Sequence, residues 1–284
     1  VLERDGFPPG VPCFIDTSQP DPEAAARFYG ELLGWEFEDR MPGDAPGRYL
    51  LAQLHGRVVA AIGSQPEGPP AEPAWTTYIA VDSADTAARR VWNAGGQVLA
   101  EPFDVFGAGR MAVVADPAGA AFCLWQPFAR AGVEVVNVPG AWNWSDLKTR
   151  DPQGAKAFYG AVFGWEADSY GDGGGHALLR LPGYGDFLEQ RDPDLRRRQA
   201  ADGVPAGFED AVAGLAPLNG GDVAAHWSVT FAVDDPDAVA AKAAELGGTI
   251  VVAPHDIPPV RVAVLSDPQG AVFAVSHYQP SAGS

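Results

Sequence analysis

Lysine and cysteine are scarce in this chain of 284 residues, and each scarcity excludes something. The three lysines are Lys148, Lys156 and Lys242, and 19 basic residues stand against 37 acidic ones, for a formal charge of −18. Such a surface repels phosphate backbones and anionic lipid headgroups, so neither a nucleic-acid nor a membrane partner is expected. Cys13 and Cys123 are the only cysteines. Two are too few for a disulfide framework or a zinc cluster, and both stand in apolar strand-like runs that suit reduced core thiols. No apolar run approaches the ~20 residues of a membrane span. The first residues, Val1-Leu2-Glu3-Arg4-Asp5, lack the basic-then-apolar layout of a secretory signal, so a soluble cytoplasmic protein is expected. What is abundant is core material: 46% of residues are hydrophobic and 10% aromatic. The length suggests two domains, and the wealth of alanine, glycine and proline fits a GC-rich genome.

The chain is written twice. Asp21-Pro22, Phe28-Tyr29-Gly30 and Gly34-Trp35 recur 130 positions later as Asp151-Pro152, Phe158-Tyr159-Gly160 and Gly164-Trp165. Trp75 to Asp82 matches Trp227 to Asp234 at an offset of 152, and Asp116-Pro117-Ala118-Gly119 matches Asp267-Pro268-Gln269-Gly270 at 151. Three collinear matches at nearly constant offset mark tandem copies of one unit. Within the first copy, residues 12–17 read as a strand. Asp21 caps a helix that carries Pro22 at its first position and an apolar face from Ala24 to Leu33, and Gly34 stops it. Three strands follow at 35–38, 48–54 and 57–62, the last two joined by a tight turn at His55-Gly56. The pattern then recurs: strand 75–81, helix 84–94, and strands near 97–100, 110–115 and 120–126. Each repeat is therefore two βαβββ modules and the fold class is α+β. The repeats are placed at residues 1–130 and 138–284.

Four βαβββ modules with these helices and closing Asp-Pro-x-Gly hairpins resemble the vicinal-oxygen-chelate superfamily of glyoxalases, bleomycin-resistance proteins and dioxygenases. The order of motifs, with Trp142-Asn143-Trp144-Ser145-Asp146-Leu147 and Leu124-Trp125-Gln126, is similar to that of actinobacterial two-domain glyoxalase-like proteins. The resemblance implies two cup-shaped mixed sheets, each with metal-ligand positions on its floor. By spacing, these fall at Phe14 and Trp144 on the first strand, Thr76 and Ser228 on the fifth, and Cys123 and Ala274 on the last; the fourth has no secure place. Divalent metals need converging imidazole and carboxylate donors. These side chains do not form that set, so no metal and no cofactor is expected.

Strand alternation puts other residues on the same face. Asp16 and Asp146 join Phe14 and Trp144. Tyr78 and Thr230 follow Thr76 and Ser228, and Trp125 and Ser276 follow Cys123 and Ala274. His226 begins the strand that carries Ser228. Each cup then holds one carboxylate beside aromatic walls, the usual form of a small-molecule site. Asp16 and Asp146 either bond backbone amides or act as a base or a grip for a cationic ligand. The aromatics either pack as core or line the site. Asp116 and Asp267 begin turns and read as structural. Of the other histidines, His55, His176, His255 and His277, none belongs to a recognisable motif, with His255 in a proline-flanked loop beside Arg261. Gly171 to Gly175 reads as a turn.

Repeat two spends residues 182–209 between its third and fourth strands where repeat one spends two. This insert, with Arg196-Arg197-Arg198, is either a solvated exterior helix or a lid hinged at Tyr184, Asp186 and Phe187. As a lid, its arginines would select an anionic ligand. The cups are built either within each repeat or between repeats; in the second case Phe14 and Asp16 face Ser228, Thr230 and Ala274. The expected function is metal-independent binding of a cationic or aromatic small molecule, by a monomer or homodimer, as in antibiotic or metabolite sequestration. The alternatives are a metal-free isomerase, cyclase or lyase with Asp16 or Asp146 as base, and a structural protein whose cups are filled.

Overall fold

Local sequence signals set the elements. In a computed structural model of the chain, Asp21 accepts a hydrogen bond from the Ala24 amide and Asp151 from the Gly154 amide, opening α1 (Pro22–Leu33) and α3 (Pro152–Phe163). Both helices end on a left-handed glycine, Gly34 and Gly164, at φ 76° and 74°, a conformation other residues resist. The structure describes residues 2–43, 46–66, 68, 71–169, 175–201, 204, 206–218 and 220–279. The glycine turn expected at 171–175 lies almost wholly outside them.

After a short β1 (Leu2–Glu3), the first repeat runs β2 (Pro12–Gln19), α1, β3 (Glu36–Asp39), β4 (Tyr49–Leu54) and β5 (Arg57–Ser64). It continues with β6 (Trp75–Ala80), α2 (Ala84–Asn93), β7 (Gln97–Val105), β8 (Gly109–Ala115) and β9 (Ala121–Pro127). The connection to the second repeat includes β10 (Val135–Val136), which pairs with β1, a strand the sequence did not announce. The second repeat runs β11 (Trp142–Thr149), α3, β12 (Glu166–Ser169), β13 (Ala177–Arg180), α4 (Tyr184–Glu189), α5 (Leu195–Ala201) and β14 (Ala211–Pro217). It closes with β15 (His226–Ala232), α6 (Pro236–Glu245), β16 (Thr249–Ile257), β17 (Val260–Ser266) and β18 (Val272–Tyr278). His255 therefore stands in strand β16 and not in a loop. It pairs with Val262 there, while Arg261 pairs with Asp237 and Asp256.

Each repeat forms its own eight-stranded mixed sheet, β3-β4-β5-β2-β6-β9-β8-β7 and β12-β13-β14-β11-β15-β18-β17-β16. The first strands of the two modules lie antiparallel at the centre of each sheet. The cups are thus built within repeats. Asp16 faces Thr76 and Phe14 faces Tyr78; Asp146 faces Ser228 and Trp144 faces Thr230. The mixed-repeat arrangement does not occur, because the strand that completes each sheet is supplied by the next module in the chain.

The repeats are joined instead through the convex faces. Tyr29 on α1 packs against Phe273 of repeat two with ring centroids 5.5 Å apart, and Tyr159 on α3 against Phe122 of repeat one at 5.7 Å. The indole N–H of Trp35 donates to the Gly140 carbonyl (2.6 Å), and that of Trp165 to the Gly10 carbonyl (2.8 Å). Asp267 accepts from Tyr29 Oη and Gln19 Nε2; Asp116 accepts from Tyr159 Oη. The turn aspartates do hold their own hairpins, each accepting two local amides. Their second oxygens bind the other repeat.

Candidate functional site

With the convex faces committed to the interface, the concave faces remain. In the first cup, Phe14, Asp16, Tyr78, Cys123 and Trp125 come together and all are buried, while Thr76 is half-buried. Phe14 meets Tyr78 edge-on at 5.6 Å, and Tyr78 meets Trp125 at 6.2 Å. Tyr78 Oη and Tyr49 Oη both donate to Asp16 Oδ2, at 2.6 and 3.0 Å. Burial pushes the Asp16 carboxyl up to about 6, against the opposing effect of the two phenols. Burial also holds both phenols and the Cys123 thiol well above their ordinary values. Asp16 is thus held by two phenols and not by backbone amides, and burial raises it as the apolar surroundings expected from the sequence would. The floor of the first cup is packed by its own side chains.

A pH-dependent stability follows. Unfolded, Asp16 titrates near 3.9; folded, near 6, so the native state holds more protons between these values. The Asp16 contribution is least unfavourable below about pH 4, and stability falls by about 3 kcal/mol as pH rises through 6. Asp16→Asn is expected to remove this slope, and urea unfolding of both proteins across that window measures it. Equal slopes would refute the assignment.

The second cup is different. An open cavity of about 2680 Å³ extends from its floor to the insert and the N-terminal segment, and its lining includes Trp144, Asp146, His226, Ser228, Thr230, Ala274 and Ser276. Trp144 lies nearly parallel to Phe208, a residue of the insert, with an interplanar angle of 8° and centroids 6.1 Å apart. Its indole N–H donates to Asp146 Oδ1 at 3.2 Å, and Lys148 Nζ stands 3.7 Å from Asp146 Oδ2. Asn143 donates to Ser276 Oγ at 3.1 Å. Beneath this array, a methyl added at Gly214 would overlap Asp146 Oδ1 and approach Trp144 Nε1 to 2.9 Å. Glycine is required there for the indole–carboxylate pair to lie flat on β14. Gly214→Val is expected to displace both side chains and to abolish ligand binding while the repeat interface survives, read by ligand titration beside a thermal melt.

The insert forms one wall of this cavity. Tyr184 and Leu195 are buried, and Phe208 reaches the floor. Its arginines are paired within the insert: Arg196 with Asp186, Glu189 and Glu209, Arg197 with Asp194, and Arg198 with Asp192. Carboxylates from the same insert meet that charge.

The register also supplies the metal-ligand position that spacing left open. Cys123 pairs with Tyr78, two residues beyond Thr76. The same step from Phe14 leads through Asp16 to Ala61, and from Trp144 through Asp146 to Gly214. The floor positions are then Phe14, Ala61, Thr76 and Cys123 in one cup and Trp144, Gly214, Ser228 and Ala274 in the other. One buried thiol and two hydroxyls do not fit a divalent ion. Among the described residues, no group of three or more His, Cys, Asp or Glu side chains is placed to hold one. Nor is any helix among them long and apolar enough to cross a membrane.

Paired βαβββ modules closed into cups, twice over, define the vicinal-oxygen-chelate architecture. The chain belongs to the glyoxalase-like domain family, whose model matches residues 13–125 and 145–276. It is 40% identical over 276 residues to CFP32 of Mycobacterium tuberculosis, which carries the name glyoxylase, covering 96% of this chain and 97% of that one. It is 38% identical over 285 residues to the anthracycline biosynthesis protein DnrV of Streptomyces peucetius, covering 95% and 94%. Both relatives are actinobacterial. Among solved structures, the fold is shared with the Mn(II)-bound glyoxalase from Novosphingobium aromaticivorans, at a TM-score of 0.60 and 17% identity over 97% of this chain and 83% of that one. It is shared also with the 2,3-dioxygenase LapB from Pseudomonas sp. KL28, at a TM-score of 0.58 and 10% identity over 95% and 92%.

Proposed function

We propose that this protein binds a planar aromatic small molecule in the second cup without a metal ion. The Trp144–Phe208 pair on the floor of the open cavity carries the reading. Parallel flat rings at the base of a hollow suit offset stacking of a third ring system. The relative DnrV, named for anthracycline biosynthesis, adds weight, since anthracyclines are flat fused-ring molecules. The floor positions hold one thiol and two hydroxyls and no imidazole or carboxylate, which supports binding without a metal ion.

Binding is favoured over catalysis by the state of the two aspartates. Asp16 is shut beneath two phenols, and Asp146 is engaged by an indole N–H and a lysine. Neither is placed as an unencumbered general base. The pairing of Asp146 with Lys148 also favours the aromatic ligand over the cationic one. Filled side-chain packing describes the first cup alone.

Native mass spectrometry of protein purified from its own host, without chelators, tests the reading. One retained aromatic molecule per chain is the expected result, with no stoichiometric divalent metal. Stoichiometric manganese, zinc, nickel or iron would overturn metal independence, and turnover of the retained molecule would overturn sequestration.

A further inference from the structure

The second cup has a charged end that the first lacks. We propose that Lys148 and His226 form a recognition subsite for an ionisable ring hydroxyl on the bound molecule. This rests on the aromatic-ligand reading and names the chemical class within it: a planar aromatic carrying a phenol-type hydroxyl.

Alternation along β11 places Trp144, Asp146 and Lys148 on one face, and Lys148 pairs in register with His226 on β15. All four line the cavity. Asp146 ties the set together, since one oxygen accepts from the Trp144 indole and the other faces the Lys148 ammonium. The ammonium is therefore fixed at the edge of the aromatic wall, where a substituent on a stacked ring would lie. His226 Nδ1 stands 2.9 Å from the Ala224 carbonyl oxygen. A carbonyl only accepts, so this nitrogen carries its hydrogen, and in the neutral ring Nε2 presents the lone pair. A phenol O–H donates to Nε2 while its oxygen accepts from Lys148 Nζ. If the hydroxyl ionises, its proton passes to Nε2, and the phenolate oxygen stays paired with the ammonium. No other reactant is needed.

The first repeat shows what the scaffold looks like without this device. The residues equivalent to Lys148 and His226 are Ser18 and Ala74, neither of which has a basic side chain, and the floor of that cup is packed by its own buried side chains. His176, just before β13, lines the same end of the second cavity, at the position held by Tyr49 in repeat one. The cavity and the Lys148–His226 pair thus occur together, in a chain with three lysines.

The experiment titrates two probes, 1,2-dihydroxyanthraquinone and its dimethyl ether, against the full chain and its Lys148→Met and Lys148→Arg variants, by tryptophan quenching. The hydroxylated probe is expected to bind the wild type about tenfold more tightly than the ether, with the red-shifted absorption of its phenolate. Lys148→Met should bring the two within about twofold and abolish the red shift, while Lys148→Arg keeps the preference. Equal wild-type binding of the two probes overturns the subsite and leaves the aromatic reading intact. So does a preference that survives Lys148→Met. Binding of neither probe to the wild type overturns the aromatic reading and the subsite with it.

Discussion

Trp144→Ala is expected to weaken binding of a planar aromatic probe by about 100-fold while leaving the melting curve nearly unchanged. The magnitude combines a lost stacking contact with lost apolar burial, together about 2–3 kcal/mol. Removing the indole also releases its N–H from Asp146 and leaves Phe208 facing an empty floor. Trp125→Ala provides the contrast. Trp125 is buried in the first cup, where its N–H donates to the Arg130 carbonyl and its ring meets Tyr78. Its loss should cost stability without touching probe affinity. Isothermal titration and thermal melts of both variants separate the two cups. If Trp125→Ala weakened binding as much as Trp144→Ala, the assignment of the ligand to the second cup would be lost.

Trp35→Ala is expected to destabilise the whole chain by about 3–5 kcal/mol, the range for truncating a large buried aromatic. Trp35 is buried, stacks on Tyr29 at 5.6 Å and meets Phe231 of the other repeat at 5.4 Å. Its N–H is the partner of the Gly140 carbonyl, which the variant leaves unpaired. Trp35→Phe keeps most of the ring and loses that hydrogen bond, for about 1–3 kcal/mol. Since the residue belongs to a core shared by both repeats, fluorescence and circular dichroism should report one coincident urea transition at lower midpoint. Two separated transitions would show that the repeats unfold independently and that the interface counts for little.

The repeated unit, its helix caps and most strands were legible because they depend on near neighbours. A cap needs only the next three residues, and the turn at His55-Gly56, with φ of 51° and 74°, is written in two. Which modules share a sheet was not legible, because pairing between β2 and β6 joins residues some sixty positions apart and both arrangements suit the same alternation. The motifs that revealed the repeat were read as helix and turn signals. Their larger task, as in Tyr29 to Asp267 across 238 positions, left no local trace. Tyr49 and Phe208 were missed for the same reason: each reaches its cup from a strand or insert whose neighbour only the fold decides. Lys148 had a signal. The alternation that placed Asp146 beside Trp144 continues one step further to it.

The contacts between the two halves come in reciprocal pairs: Trp35 to Gly140 and Trp165 to Gly10, Tyr29 to Asp267 and Tyr159 to Asp116. Such reciprocity is the mark of an isologous contact, in which one patch recognises its own copy across a twofold axis. A single ancestral half could have made the same contact with a second molecule of itself, so the covalent join need not have created the association. What the join changed was equality. Once both halves were encoded in one chain, one hollow was free to close with phenols while the other kept its opening and gained a basic edge.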